Sequence, residues 1–262
     1  MLPKIFKPKG LYDLIRIGKE NDGGYLIGKN SLLKSEYLIS FGINDDWSFE
    51  EQFRKCNSKI KVFAYDPYVD NTFFLWKTWF SFLSLLRGRP KYFFYSIRKW
   101  ILFKKFFDDK ENFFFLKKIG RGGLKKPSIT IEEIIKSTKN SKNIFFKIDI
   151  EGSEYRVLDN IIKKSNHITG IVIEFHDVDL HLDKIVNFIK KIKLEIVHIH
   201  PNNCAERDFF NRPTVLEITF EKNPKLLKNS VFFPHPLDQK NDPKYEDIEL
   251  MFQDYNKKSK IF

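Results

Sequence analysis

The amino-acid sequence predicts a single α/β domain with a mostly parallel sheet and helices on both of its faces. Short apolar runs with the character of buried strands alternate along the chain with longer segments of helical periodicity, and this alternation is typical of parallel sheets. The length of 262 residues suits one such domain that carries an insertion. We therefore expect one domain over residues 1–262, with an inserted segment at residues 72–126.

Seven segments have the composition of buried strands, at residues 37–41, 60–65, 113–118, 144–150, 170–175, 194–199 and 215–220. Helices are predicted between them at residues 47–56, 130–138, 153–164 and 180–192. Two helices have a Ser or Thr three residues before a Glu, the spacing of a capping box: Ser48 with Glu51, and Thr130 with Glu133. Outside the sheet, Asn21–Gly24 has the composition of a turn, and residues 248–252 are a candidate docking segment.

Polar and ionisable residues follow the strands at one edge of the predicted sheet. Ligands of open α/β sheets bind beyond the carboxyl ends of the strands, so these residues are candidates for a binding site. Gly42 would let the backbone approach a ligand, although a tight turn also explains it. Asp66 is suited to both hydroxyls of a ribose, or to starting a turn before Pro67. The remaining candidates at this edge are Asn44, Asp149, Glu174, His176 and His200.

The segment Phe146–Glu154 (FKIDIEGSE), followed by Val157-Leu158, resembles the signature of the FkbM family of methyltransferases. Further stretches resemble one bacterial branch of that family, which acts on surface polysaccharides: Arg16–Gly18, Asn21–Tyr25, Ser40–Glu50, His200 with Asn202-Asn203, and Val215–Phe220. The resemblance covers most of the chain outside residues 72–126. It departs from the common family pattern at Asp46, which stands where a second glycine is usual.

The resemblance implies a class I Rossmann-like fold, S-adenosylmethionine as the methyl donor, and O-methylation, often of sugars. On that basis we expect Gly42, Asn44 and Glu50 to hold the methionine end of the donor and Asp66 to hold its ribose. The expected acceptor is a sugar hydroxyl of a capsular or lipopolysaccharide precursor, carried on a nucleotide or a lipid.

Transfer to an oxygen requires a group that takes up the hydroxyl proton. His176 is the first candidate, because an unperturbed histidine titrates at about pH 6.5, and His200 is the second; either ring could instead only donate a hydrogen bond. Asp149, Glu174 and His176 would also suit a divalent metal that lowers the pKa of the hydroxyl. The alternative assigns Asp149 to the cofactor and makes Glu174 a structural acceptor.

Residues 72–126 hold fourteen Lys or Arg against three acidic residues, which is +11 of the net charge of +12, and seventeen of the 42 aromatic residues. The predicted helical content is interrupted at residues 87–90. Three interpretations compete: a helical lid or dimer arm with aromatics buried against the domain, a segment at residues 72–107 lying on an anionic membrane, or a nucleic-acid surface. The dense apolar blocks favour the first, and we expect no nucleic-acid partner.

Other function classes are disfavoured. The dinucleotide pattern G-x-G-x-x-G is absent, which argues against a nicotinamide enzyme. Cys56 and Cys204 lack metal-ligand spacing and are expected to be reduced thiols. The sequence lacks a signal-peptide pattern and an apolar run long enough to span a bilayer, so we expect a cytoplasmic protein, at most peripheral to the inner membrane. An RNA methyltransferase and a non-catalytic, membrane-attached scaffold stay open as alternative functions.

Overall fold

The computed structural model describes residues 1–120 and 127–254 and contains a central sheet of seven strands. In chain order these are β1 (Tyr37–Phe41), β2 (Lys61–Tyr65), β3 (Asn112–Phe115), β4 (Ile144–Ile148), β5 (Ile168–Phe175), β6 (Glu195–Pro201) and β7 (Leu216–Glu221). All seven predicted strands are present, with boundaries that differ by a few residues. Their spatial order is β6–β7–β5–β4–β1–β2–β3, and within this sheet only β7 runs antiparallel to its neighbours. This is the class I Rossmann-like fold that the resemblance implies.

Seven α-helices lie among the described residues: α1 (Lys29–Lys34), α2 (Ser48–Cys56), α3 (Asn71–Leu86), α4 (Pro90–Phe107), α5 (Ile131–Ser137), α6 (Leu158–Lys164) and α7 (Val178–Lys191). The capping box predicted for α5 is confirmed. Thr130 Oγ1 accepts a hydrogen bond from Glu133 N at 3.2 Å, and Glu133 Oε2 accepts one from Thr130 N at 2.8 Å. Two of the backbone donors at the start of this helix are thereby satisfied.

The capping box predicted at Ser48 is wrong. The N–H of Ser48 donates to Asp46 Oδ1 at 3.0 Å, and the Ser48 hydroxyl accepts a hydrogen bond from Lys19 N at 3.1 Å instead of capping α2. Asp46 satisfies a backbone donor at the start of the helix, which is also where a negative charge is favourable. Asp46, which departs from the family's glycine pattern, therefore stabilises the start of α2.

The helix predicted at residues 153–164 is divided into two parts. Glu154–Arg156 forms a single 3₁₀ turn, and α6 begins only at Leu158. Before the turn, Glu151 and Gly152 adopt positive φ angles of 51° and 85°. Glu154 Oε1 accepts hydrogen bonds from Ile150 N at 3.3 Å and Gly152 N at 3.2 Å, so the carboxylate organises this loop rather than a continuous helix.

The core lies on both faces of the sheet, as expected for a sheet covered by helices. Neighbouring side chains of a strand point to opposite faces, and on β4 this places Phe145 and Phe146 in different apolar clusters. Phe146 packs with residues of α5, α6 and α7, whereas Phe145 packs against Phe53 of α2 at a ring distance of 5.1 Å. Burial on both faces makes β4 a rigid support for the residues that follow it.

The chain segments at the two ends of the described structure also pack on the domain. Leu14–Ile17 and Tyr25–Gly28 form an antiparallel β-hairpin, and the predicted turn at Asn21–Gly24 connects them. Phe252–Gln253 pairs with Leu2–Pro3 in parallel, and the preceding Ile248 is buried. The docking segment predicted near residue 248 is therefore confirmed.

The inserted segment begins with two long helices, α3 and α4, which we call the helical hairpin (residues 71–107). The first sequence-based interpretation, aromatics buried against the domain, holds only at the base of the hairpin, where Phe74 is buried and Phe103, Phe106 and Phe107 pack against the core beside Trp47. Most of its other aromatic side chains are exposed, and α4 has no fully buried residue. The composition of Gly122-Gly123 predicts a loop, but these two residues fall outside the described residues. Across residues 1–120 and 127–254, no helix combines the length and apolar character needed to cross a bilayer.

Candidate active site

A cleft of about 440 Å³ opens at the carboxyl ends of β1, β4 and β5, where ligands of open α/β sheets bind. This volume falls within the range of small-molecule sites. The β-hairpin closes one side of the cleft through Tyr25. Five of the predicted site residues line it: Gly42, Asn44, Asp149, Glu174 and His176. The structure thus brings together candidates that are more than a hundred residues apart in the chain.

Gly42 lies where the loops after β1 and β4 meet. It adopts a φ of +78°, and a Cβ placed on it would lie 1.6 Å from the carbonyl oxygen of Asp149. Both the backbone conformation and the space therefore exclude a side chain. Lys147 Nζ donates to the carbonyl oxygen of Gly42 at 2.6 Å, and Asp149 N donates to Phe41 O at 3.1 Å. The two loops form one packed unit.

A network of buried polar groups forms the floor of the cleft. Tyr25 Oη donates to Glu174 Oε2 at 2.8 Å and lies 3.3 Å from Asp149 Oδ2. Asn202 Nδ2 donates to the other Glu174 oxygen at 3.2 Å. Lys147 Nζ lies 3.5 Å from Asp149 Oδ2.

The ionisable groups in the floor of the cleft differ in charge at neutral pH. Burial, together with the charge of Asp149, raises the pKa of Glu174 to about 8, so this carboxyl is mostly protonated at neutral pH. Burial acts to lower the pKa of Lys147, but the charges of Asp149 and Glu50 outweigh it and raise that pKa. Lys147 therefore stays cationic beside Asp149.

His176 forms the wall of the cleft opposite the β-hairpin. Its Nδ1 lies 3.0 Å from Glu154 Oε1, which fixes the ring, and its Nε2 lies 3.3 Å from Glu151 Oε2. Burial lowers the pKa of His176, but the hydrogen bond and charge of Glu154 and the charge of Glu174 outweigh it and raise the pKa to about 9. The imidazole is thus protonated at neutral pH, unlike the unperturbed ring assumed from the sequence.

The carboxylates around His176 differ from the predicted metal set. Within the described part of the chain, the group that could hold a metal ion is Asp149, Glu151 and His176, whose ligand atoms all lie within 4.8 Å of one another. Glu174 is instead bonded to Tyr25 and Asn202. Glu151 thus takes the place of Glu174 as the third member of the group.

Two predicted donor-binding residues lie beside the cleft rather than on its surface. Asp66 Oδ1 accepts hydrogen bonds from the N–H groups of Tyr68 and Val69, at 2.8 and 3.2 Å, and its Oδ2 accepts one from Asn44 N at 3.1 Å. A carboxylate has about four acceptor positions, so one position on Oδ2 is left for a ligand. Glu50 is buried below the Gly42 loop.

The Glu50 carboxyl has two different environments. One oxygen accepts a hydrogen bond from Ser40, whereas Oε2 has no hydrogen-bond partner among the described residues. Burial raises the pKa of this carboxyl. A buried oxygen without a partner is costly, so its site is suited to receiving a donor group.

His200, the second candidate base, is placed away from the cleft. It is buried, with Nε2 3.2 Å from Asn241 Oδ1 and Nδ1 3.7 Å from Asp238 Oδ2. Burial lowers the pKa of His200, but the neighbouring carboxylates of Asp238 and Glu217 outweigh it and raise the pKa to about 9. His198 Nε2 lies 2.8 Å from the other Asp238 oxygen. These groups form a buried ionic cluster that supports β6 and β7.

Sequence reasoning gave no site role to Tyr25 or Lys147. Lys147 carries a detectable signal, because a lysine in the middle of a buried apolar strand needs a partner at the strand end. The sequence contains no comparable signal for Tyr25, because its approach to Glu174 depends on how the β-hairpin folds over the sheet.

Comparisons with known proteins agree with this geometry. The family model for the methyltransferase FkbM domain matches residues 27–193, which include β1 to β5 and the whole floor of the cleft except Tyr25 and Asn202. The search of curated proteins found no significant match.

Several solved structures are similar in fold. Precorrin-6y C5,15-methyltransferase from Geobacter metallireducens is 13% identical, with 74% of this chain and 86% of that chain covered and a TM-score of 0.38. Aeropyrum pernix fibrillarin with bound S-adenosyl-L-methionine is 9% identical, with 72% of this chain and 68% of that chain covered and a TM-score of 0.38. A putative tRNA (m1A22) methyltransferase from Streptococcus pneumoniae is 10% identical, with 74% of this chain and 66% of that chain covered and a TM-score of 0.37. At these values we draw no conclusion about substrate.

Proposed function

The chain belongs to the FkbM methyltransferase family and is an S-adenosylmethionine-dependent methyltransferase; from this premise, we propose that it methylates a sugar hydroxyl of a surface-polysaccharide precursor. The observation that carries the proposal is the acid-rich cleft with the ring of His176 in its wall. Six acidic residues line this cleft: Asp22, Asp45, Asp46, Asp149, Glu151 and Glu174. Carboxyl groups accept hydrogen bonds from hydroxyl groups, so the several hydroxyls of a sugar ring suit this cleft.

The donor is proposed to bind along the loop after β1. Gly42 and Asn44 line the cleft there, next to the open position on Asp66 Oδ2. We assign the ribose hydroxyls to Asp66 and the methionine end to Gly42, Asn44 and the unpaired oxygen of Glu50. The donor supplies a methyl group that its sulfonium already activates, so the protein has to align the acceptor oxygen and accept a proton.

His176 is proposed to accept that proton. Its Nε2 faces the cleft while Glu154 holds Nδ1, which orients the ring toward an acceptor. The ring can accept a proton only in its neutral form, so its resting proton must leave first. His200 is the less favourable candidate, because it does not line the cleft and both of its nitrogens face buried partners.

A divalent cation forms a second part of the proposal. Asp149, Glu151 and His176 offer two carboxylates and one imidazole, a ligand set that suits Mg²⁺ or Mn²⁺. Glu154 stands behind His176, as carboxylates commonly do behind a metal-bound imidazole. A bound cation would favour ionisation of the acceptor hydroxyl. Nε2 of His176 cannot be ligand and base at once, so the two roles are alternatives.

Calorimetry with Mn²⁺ separates these roles. Binding that is lost in Glu151→Gln and kept in Glu132→Gln, an exposed glutamate on α5, would support the metal. Glu151 is 86% exposed at its side chain, so its replacement should not disturb the fold. If wild-type protein gives no heat with Mn²⁺, the cation is removed from the proposal and His176 stays the base.

The proposed function is tested with purified protein, S-adenosylmethionine and a panel of nucleotide sugars. We expect methyl transfer to one of them, and His176→Gln should lower turnover by about a hundredfold while donor affinity is unchanged. Asp66→Asn should weaken donor binding instead. Methylation of RNA but not of any sugar would overturn the acceptor assignment, and a fully active His176→Gln enzyme would overturn the role of His176.

A further inference from the structure

The helical hairpin exposes many large apolar side chains, although helices in water normally turn such residues toward a partner. Between α3 and α4, the facing side chains include the aromatic pairs Phe82–Phe93 and Phe74–Trp100 and also small hydroxyl residues. Thr78 Oγ1 lies 3.3 Å from Ser96 Oγ, and the hydroxyl of Ser81 donates to the carbonyl oxygen of Thr78 at 2.8 Å. Small residues at a helix–helix contact are typical of apolar surroundings, where they let the backbones approach closely.

The large apolar side chains of the hairpin point outward. Six of them, Trp76, Trp79, Phe80, Leu86, Phe94 and Ile101, are between 58% and 77% exposed. They extend over both helices and include Leu86, at the end of α3 beside the connecting turn. Large apolar side chains exposed together on two neighbouring helices indicate a binding surface.

The charge of the hairpin indicates what binds there. Residues 71–107 contain eight Lys or Arg and no Asp or Glu. Cations lie beside aromatic rings of the hairpin: Lys91 Nζ is 5.4 Å from the centre of the exposed Tyr92 ring, and Lys104 Nζ is 4.9 Å from that of the half-buried Trp100. Apart from Lys77 and Lys99, which pair with Asp45, a second copy of the chain would place the remaining six cations of each hairpin against one another, which charge repulsion opposes. An anionic lipid surface complements both the apolar and the cationic groups.

The base of the hairpin is attached to the rim of the cleft. Lys77 and Lys99 both pair with Asp45, Lys99 at 3.3 Å, and Asp45 lines the cleft. Phe74 is buried there and lies parallel to the Trp100 ring, with centroids 6.4 Å apart. The described helices do not span a bilayer, so a membrane-bound hairpin would lie in the headgroup region.

We propose that the helical hairpin binds the surface of an anionic bilayer, with its outward aromatics in the headgroup region and its cations on lipid phosphates. The inference rests on side-chain exposure and charge, and it does not depend on which acceptor the cleft takes. Bound in this way, the protein would hold its cleft close to the membrane surface.

The test is flotation of the full-length protein with vesicles. We expect binding to vesicles of phosphatidylglycerol and phosphatidylcholine in equal parts, and little binding to phosphatidylcholine alone. The double variant Trp79→Ser/Phe80→Ser should lose about tenfold in partitioning, and Arg87→Glu/Arg89→Glu at the hairpin turn should lose at least as much. All four residues are exposed, so these variants should fold.

Matched controls lie outside the hairpin. Phe209→Ser removes an aromatic side chain that is 96% exposed, and Lys190→Glu/Lys193→Glu reverses two exposed charges. Both should float like the wild type. Wild-type protein that does not float with the anionic vesicles would overturn the proposal. So would a dimer in solution that Trp79→Ser/Phe80→Ser dissociates, or binding of single-stranded RNA in place of vesicles.

Discussion

The cleft and the helical hairpin use ionisable residues in opposite ways. In the cleft, six acids and a few cations converge in a small volume, and buried groups such as Tyr25, Lys147 and Glu174 have partners within the domain. The hairpin contains eight cations and no acidic residue, and apart from Lys77 and Lys99, which pair with Asp45, its cations and exposed aromatics have no described partner in the rest of the domain. The groups of the cleft are held by partners inside the domain, whereas we propose that the exposed groups of the hairpin are covered by an external surface. Substitutions in the two regions should therefore differ in kind.

The largest difference is expected between two glycines. Gly42→Ala would place a Cβ 1.6 Å from Asp149 O, so the two loops must separate. We expect a loss of more than about 3 kcal/mol in unfolding free energy and no measurable donor binding. Gly88→Ala, at the hairpin turn, is the matched control: its φ is also positive, at +68°, but a Cβ there meets no atom within 4 Å. That variant should lose only about 1 kcal/mol and bind donor normally.

Two lysines give the next contrast. Lys147→Met removes a buried cation that bonds Gly42 O and lies beside Asp149, leaving that carboxylate without its counter-charge. Denaturant unfolding should show a loss of about 3 kcal/mol. Lys104→Met on the exposed side of the hairpin should change stability by less than about 1 kcal/mol. Equal effects of the two variants would contradict the proposed difference between the regions.

The pH dependence of the unfolding free energy should come from buried groups around the sheet and not from the helical hairpin. The pKa of His200 is raised to about 9 in the folded state, from about 6.5 when unfolded. Its stabilising contribution is therefore complete below about pH 6.5 and is lost as the pH rises through 9. For this group alone we expect the unfolding free energy of the wild type to fall by about 3 kcal/mol over this interval. Asp238→Asn removes the partner and should reduce this fall, while the contribution of His176, whose pKa is also raised to about 9, is kept; an unchanged profile would contradict this assignment.

The smallest effect is expected for the hairpin's own aromatics. Trp79→Ser removes a large side chain that is mostly exposed, so the unfolding free energy in solution should change by no more than about 0.5 kcal/mol. Phe146→Ala, its counterpart in the core, should cost about 4 kcal/mol. Thermal or denaturant unfolding of both variants would measure this difference. A large loss in Trp79→Ser would mean that the aromatic surface packs on the protein itself.

The sequence predicted the sheet well, because a buried strand such as Ile144–Ile148 is apolar over its whole length and ends in polar residues. Gly42, Asp149, Glu174 and His176 could be grouped in advance, since parallel strands bring their carboxyl ends to one edge. The raised pKa of His176 could not be predicted, because it depends on Glu154 turning toward the ring. The exposure of Trp79 was also missed, because apolar composition by itself predicts burial and does not identify what covers the surface.

The contact between Gly42 and Asp149 has a consequence for motion. The amide of Asp149 donates to Phe41 O at 3.1 Å, in the layer where the two loops touch. This hydrogen can exchange with solvent only when β1 and β4 separate, which requires disruption of the central sheet. Deuterium uptake at Asp149 should therefore be as slow as global unfolding permits. Because the loop after β1 cannot open without the sheet, the groups that bind the donor keep a fixed position relative to those after β4. Opening of the cleft therefore has to come from movement of the segments that surround it.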